Sequence, residues 1–126
     1  MKTFLLLSAI CTLLVSASDC SSKKDAGGDR YKGRLEIKGI CMNYTIKLLE
    51  GKIDTSKIVA NWKDESSGKS HTNVFRLGRT CDFPASIKEG DEFYFTIDSL
   101  SQPDCIVCEA YYPTPPRSLP IKVLDK

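Results

Sequence analysis

Glu92-Phe93-Tyr94-Phe95-Thr96-Ile97 is the stretch that decides the fold, because its inner and outer side chains alternate with a period of two. Successive side chains of a β-strand point to opposite faces, so this pattern predicts a half-buried strand. Its odd-numbered apolar side chains are predicted to face a core, whereas Tyr94 and Thr96 face outward. A turn at residues 87–91 leads into the strand.

Alternating segments recur before this strand and predict a sheet built from hairpins. The polar turn at residues 64–70 joins a strand at 58–63 to a second strand at 72–77. Phe75 and Leu77 are predicted to lie on the buried face of this hairpin. The even-numbered side chains of the first hairpin strand are predicted to share one face.

The first strand of the domain changes phase along its length. Leu35 and Ile37 are odd-numbered apolar positions, whereas Tyr44, Ile46 and Leu48 are even-numbered. A slip of one residue turns every later side chain to the opposite face. A bulge or tight turn within residues 39–43 is therefore expected.

Two more strands are predicted at residues 106–112 and 121–124, with a proline-rich crossing segment between them. Six or seven short strands with frequent turns are typical of an all-β domain, as a small antiparallel barrel or sandwich. The turn at residues 87–91 and the bulged first strand resemble those of the oligonucleotide/oligosaccharide-binding type. That resemblance implies a small, partly open barrel, and the cysteines predict that disulfides staple it.

The amino terminus has the layout of an export signal. Lys2 precedes an apolar run of about a dozen residues, and residues 16–18 are small. The run is too short to span a bilayer, which takes about 20 residues. Two interpretations of the cleavage remain open. A secreted protein would be cut after Ala17 or Ser18, and a lipoprotein directly before Cys20.

Residues 14–20 resemble a bacterial lipoprotein box, and residues 21–25 resemble the charged tether of Bacteroidota lipoproteins. Asp19 departs from the small neutral residue usual at its position. The chain as a whole resembles small lipoproteins of Bacteroidota that carry a single β-domain. The resemblance implies acylation of Cys20, with palmitate among the chains, and attachment to the cell envelope at the outer membrane.

The resulting organisation is a signal peptide at residues 1–19, a lipidated tether at 20–30 and one β-domain at 31–126. The tether has no apolar side chain larger than alanine, so it is expected to be flexible. The net charge is +2, and no block of five or six like charges occurs. Nothing in this pattern favours a nucleic-acid partner.

The cysteine count supports lipidation. Cys11 leaves with the signal, so a secreted chain would keep an odd number of cysteines and one free thiol. If Cys20 carries lipid, four cysteines remain and all of them can pair. These are Cys41, Cys81, Cys105 and Cys108.

Cys105 and Cys108 have a spacing found in redox motifs, in zinc sites and in structural proteins. In an extended segment their Cα atoms would lie about 10 Å apart, too far for a mutual bond. Each would then pair with Cys41 or Cys81, in either of two ways. A turn would instead permit a local bridge. Redox chemistry needs a thiolate of lowered pKa, and zinc would need all four cysteines as ligands.

Aromatic side chains give the best indication of a binding surface. Tyr94 and Tyr111 fall on the outward phase of their predicted strands, and Trp62 fits either the core or its rim. Exposed aromatic rings can bind a protein or glycan partner. The sole histidine, His71, is predicted to be a surface turn residue.

The acidic side chains lie mostly in predicted loops, where they are expected to be solvated turn formers. They are Asp54, Asp64, Glu65, Asp82, Glu89, Asp91, Asp98 and Asp104.

The sequence thus predicts a non-catalytic envelope lipoprotein, without metal or cofactor, that serves as a binding or assembly module. The alternatives are a thiol-disulfide oxidoreductase using Cys105 and Cys108, or a soluble secreted inhibitor-like domain.

Overall fold

The computed structural model describes residues 29–100 and 105–125. The predicted export signal, Cys20, most of the tether and Asp104 lie outside the described residues. Within the described ranges, no helix is both long enough and apolar enough to cross a membrane.

The described chain forms seven strands and one short 3-10 helix, and it contains no α-helix. The elements are β1 (Tyr31–Lys38), the 3-10 helix (Ile40–Met42), β2 (Tyr44–Glu50), β3 (Val59–Lys63), β4 (Ser70–Leu77), β5 (Glu92–Ile97), β6 (Ser118–Leu119) and β7 (Ile121–Val123). The predicted all-β class and strand number are confirmed.

All seven strands belong to one sheet. Its order is β3-β4-β2-β1-β5-β7, and β6 pairs with β4. Every pairing is antiparallel except the parallel pair of β4 and β6. Only Pro120 separates β6 from β7, so one short segment contacts both β4 and β5. The sheet is nevertheless not closed, so it is neither a true barrel nor a two-sheet sandwich.

The core forms where three strands align their side chains. Leu35 of β1 pairs with Ile46 of β2, and Ile46 pairs with Phe75 of β4. All three are fully buried, as is Phe95 of β5, and the rings of Phe75 and Phe95 lie 5.9 Å apart. The predicted inward positions Phe93 and Leu77 are also buried. The period-two pattern therefore identified the core side of β4 and β5.

The predicted change of phase is confirmed. The 3-10 helix separates β1 from β2, and inside it Cys41 and Met42 have φ angles of 55° and 59°. A second irregularity lies in β1 itself, where the pairing with β2 shifts between Leu35 and Ile37. That shift leaves Glu36 as an extra residue on β1, as in a β-bulge.

The predicted hairpin is also confirmed, as β3 paired with β4. Buried and exposed side chains alternate less regularly along this hairpin than the sequence predicts. On β3, Trp62 is half-buried but Ala60 is exposed. On β4, Asn73 has a left-handed φ of 53°, and the next two residues, Val74 and Phe75, are both buried. A change of backbone conformation at Asn73 accounts for this break in alternation.

The predicted strand at residues 106–112 is wrong, because residues 105–115 form no regular secondary structure. The segment is largely apolar, but Cys105 and Cys108 are both bonded to other parts of the chain. These bonds fix the segment away from the sheet ladder. The final strand is confirmed as β7.

Candidate functional site

Two disulfides organise one end of the domain. Cys41 bonds to Cys108 across 67 residues, with Cα atoms 4.9 Å apart. Cys81 bonds to Cys105 across 24 residues, with Cα atoms 5.3 Å apart. The prediction of long-range bridges is confirmed, and the two cysteines of the CXXC motif do not bond to each other. In this pairing none of the four sulfurs is a free thiolate that could attack a substrate or bind zinc.

The two bridges hold residues 106 and 107 between separate parts of the domain. Cys108 is tied to the 3-10 helix between β1 and β2, and Cys105 is tied to the turn that follows β4. A chain cross-linked on both sides loses much of its conformational freedom before it meets a ligand. Such preorganisation increases affinity, because less entropy is lost on binding.

Two further contacts support the segment from behind. The side-chain amide of Asn43 donates to the carbonyl oxygens of Ile40 and Ala110, at 2.9 and 3.0 Å. The ring of Tyr112 packs directly on Gly39, where a Cβ atom would lie 2.7 Å from the ring. Gly39 thus permits a close approach that any other residue would block.

Exposed hydrophobic side chains concentrate around these cross-links. Among the described residues, the large hydrophobic side chains that are exposed are Ile40, Leu100, Ile106, Val107 and Tyr111. Ile106 is fully exposed and Tyr111 is 80% exposed. Ile40 precedes the bridged Cys41. The last three lie in residues 105–112, which contain the two bridged cysteines Cys105 and Cys108 and which we call the bridged segment. We call Ile40, Ile106, Val107 and Tyr111 the cystine-held surface.

Tyr94 lies at a different place, beside a groove of about 880 Å³. The guanidinium of Arg30 stacks on its ring at 3.8 Å. Lys32, on the neighbouring strand, pairs with Glu92 at 3.3 Å and with Glu50 at 3.7 Å. One face of the Tyr94 ring is therefore covered by the chain's own cation, which leaves less of it for a sugar or a base.

Trp62 belongs to a third location, a polar cluster around His71. The two rings lie 5.7 Å apart, and Nδ1 of His71 lies 3.0 Å from Oε1 of Glu36. Because a carboxylate only accepts, Nδ1 donates this bond. His71 is 11% exposed at its side chain and belongs to β4. The prediction of a surface turn histidine is therefore wrong.

The Glu36 carboxylate is held charged by its neighbours. Burial alone would raise the pKa of Glu36, but hydrogen bonds from His71 and Arg34 lower it below its ordinary value. Arg34 contacts Oε2 through Nη2 at 2.7 Å. The other ring nitrogen of His71 is buried, with no hydrogen-bond partner among the described residues. A base acting on a substrate would need that nitrogen to be accessible.

Arg79 forms an ion-pair network close to the Cys81 bridge. Its guanidinium binds Asp98 and Asp82, each at 2.5 Å, and its side chain is only 8% exposed. The backbone N–H of Leu100 and the Arg79 guanidinium lower the pKa of Asp98. These contacts tie the turn after β4 to the end of β5.

The predicted loop acids mostly act as turn formers. Asp54 accepts from the backbone N–H of Ser56 at 2.8 Å, and Asp64 accepts from Ser66 at 2.9 Å. Asp64 is buried, however, so its prediction as a solvated side chain is wrong. Burial would raise the pKa of Asp64, but hydrogen bonds from Ser67 and Ser66 lower it.

The three aromatic residues predicted for binding are not brought together. Trp62 is on β3 and Tyr94 is on β5, with three strands between them in the sheet order, and Tyr111 is in the bridged segment. Sequence reasoning missed the exposure of Ile106 and Val107. The available signal was the position of Ile106 and Val107 between two cysteines. If both cysteines are cross-linked to distant parts of the chain, the residues between them cannot readily rotate toward the core.

Comparison with known proteins gives no relative: the chain matches no family model, no curated protein and no solved structure.

Proposed function

We propose that this protein is a non-catalytic cell-envelope lipoprotein, anchored through acylated Cys20, whose β-domain binds a protein partner through the cystine-held surface. One observation carries the proposal. Three of the four large exposed aliphatic side chains among the described residues, Ile40, Ile106 and Val107, are each next to a disulfide-bonded cysteine. Exposed apolar side chains that cluster in this way mark interaction sites.

The disulfides support the proposed location. Long-range bridges form and persist in oxidising compartments outside the cytoplasm. All four cysteines of the β-domain are consumed in them, which leaves Cys20 available for lipid. The tether at residues 20–30 could place the domain up to about 35 Å from its anchor. Two or three acyl chains would hold it firmly at a membrane, whereas one chain binds only marginally.

A protein partner is favoured over a glycan by the chemistry of the surface. Three of the four side chains of the cystine-held surface are aliphatic. Sugar recognition by stacking would use open aromatic faces, yet Arg30 covers Tyr94 and His71 lies beside Trp62. Tyr111 is the candidate aromatic residue that remains widely exposed, and it lies among the aliphatic side chains.

Two measurements test the proposal. Intact mass analysis of the mature protein from the native host should give an acylated amino terminus at Cys20. An unmodified terminus at Ser18 or Asp19 would remove the anchor. A photoreactive benzoylphenylalanine at position 111 should give a discrete protein adduct in the host envelope. The same residue at position 60, on the exposed part of β3, is the control; equal adducts at both positions would contradict a specific surface.

A further inference from the structure

The bridged segment resembles a peptide that is preorganised to bind in the cleft of another protein. Among the described residues, the backbone of residues 105–109 makes no hydrogen bond to the rest of the domain. Its N–H and C=O groups are thus free for a partner. The side chain of Ile106 is fully exposed between them. Extended-peptide recognition uses this combination, in which main-chain hydrogen bonds give affinity and a side-chain pocket gives specificity.

From this arrangement we propose that the segment inhibits an endopeptidase, with Ile106 inserted into an aliphatic specificity pocket of a serine protease. The inference rests on the proposed binding function of the cystine-held surface and names its partner class. A peptide cleft with one apolar pocket accommodates both features of the segment, the free backbone groups and the single projecting side chain. A flat protein surface would accommodate only the side chain.

The disulfides explain why such a segment would inhibit rather than serve as a substrate. Attack of the protease serine on the Ile106 carbonyl would break the peptide bond to Val107, and a proton would pass to the Val107 amine. Val107 remains next to Cys108, which is bonded to Cys41, and Ile106 remains next to Cys105, which is bonded to Cys81. The amine therefore stays close to the acyl group, and re-formation of the peptide bond competes with hydrolysis by water.

Charge argues against a lipid surface as the occupant. Residues 98–116 contain no lysine, arginine or histidine. Asp98 is neutralised by Arg79, but Glu109 next to Cys108 is an exposed acidic residue. Anionic membranes attract basic segments and repel acidic ones. A partner cleft with cations at its rim would complement this segment.

The test uses pancreatic elastase, whose small pocket accepts aliphatic side chains, with trypsin as the mismatched protease. The oxidised mature protein should inhibit elastase and leave trypsin active. Ile106→Lys should weaken elastase inhibition by at least about 100-fold, because a charge enters an apolar pocket, and should create trypsin inhibition. Ala60→Lys adds the same charge at an exposed position on β3 and should change neither activity.

Several results would overturn the inference. Rapid cleavage at residues 106–107, with uptake of one water and no inhibition, would make the segment a substrate. Self-association that Ile106→Lys abolishes, without protease inhibition, would assign the surface to a second copy. Binding of the unsubstituted protein to anionic vesicles, without protease inhibition, would assign it to a membrane. If inhibition is absent but the adduct at position 111 forms, only the protease assignment fails. Loss of that adduct as well would remove the proposed function.

Discussion

The carboxylate of Glu36 and the imidazole of His71 are joined at 3.0 Å, although their strands are not neighbours in the sheet. Glu36 is the extra residue of the bulge in β1, and β2 lies between β1 and β4. On the same side, Lys47 of β2 donates through Nζ to the carbonyl oxygen of Thr72 at 2.9 Å. These polar contacts hold the first half of β4 against β1 and β2.

Glu36→Gln should lower the free energy of unfolding at pH 7 by about 1–2 kcal/mol, because it removes the charge from two partly buried hydrogen bonds. The folded-state pKa of Glu36 lies below its ordinary value of 4.5. Its contribution is therefore complete above about pH 4.5 and is lost as the pH falls through the lowered pKa. Urea unfolding at a series of pH values should show the variant and the original protein converging in acid.

Glu50→Gln provides the control for this experiment. Glu50 also pairs with a cation, Lys32, but at 3.7 Å and with a side chain that is 65% exposed. Its loss should change stability by less than about 0.5 kcal/mol. Equal effects of the two substitutions would contradict the proposed role of the Glu36 contact.

The sequence predicts those parts of this fold that depend on local alternation. The pattern at residues 92–97 identifies β5, and the phase slip before Tyr44 identifies the irregular connection of β1 to β2. The contact of Glu36 with His71 could not be predicted, because it depends on a bulge and on the left-handed backbone at Asn73. The largely apolar composition of residues 106–112 was misleading, because the cross-links at Cys105 and Cys108 hold this segment outside the sheet.

The candidate site was predictable only in part. The odd number of cysteines after the predicted signal favours a separate role for Cys20, which stays a prediction, whereas the distant partners expected for an extended CXXC motif are confirmed. The sequence left open whether Cys105 pairs with Cys41 or with Cys81. The spacing of the cysteines does not say which of these two residues Cys105 approaches. The exposure of Ile106 is not given by residue type alone, because isoleucine is more often buried than exposed.

The two disulfides should differ in their contribution to stability. The Cys41–Cys108 bridge spans 67 residues and the Cys81–Cys105 bridge spans 24. Loop-closure entropy predicts losses of about 4 and about 3.5 kcal/mol when each pair is replaced by serines. Guanidinium unfolding of the two double variants would measure both values. A larger loss for the shorter loop would show that contacts near Cys81, such as the Arg79 ion pairs, outweigh the entropy.

Gly39→Ala should release the bridged segment from the domain. The added Cβ would collide with the backbone carbonyl oxygen of Asn43 and would lie 2.7 Å from the Tyr112 ring. Both the connection that carries Asn43 and the ring must therefore move, and overpacking of this kind costs about 1–3 kcal/mol. Hydrogen exchange followed by mass spectrometry should show faster exchange in residues 105–112. Gly90→Ala is the control, because it introduces backbone strain at a φ of 93° but meets no atom within 4 Å. Faster exchange of the segment in both variants would contradict the contact as the cause.

Thr45→Val should stabilise the protein by about 1 kcal/mol. Thr45 is fully buried in β2, and its hydroxyl oxygen has no hydrogen-bond partner among the described residues. An unpaired buried hydroxyl carries a desolvation penalty, and valine has the same shape without the polar atom. Thr72→Val is the control, because it removes a hydroxyl that accepts a hydrogen bond from Lys47 at 2.8 Å. Urea midpoints should therefore rise for the first variant and fall or stay level for the second. A fall for Thr45→Val would mean that its hydroxyl is paired in solution.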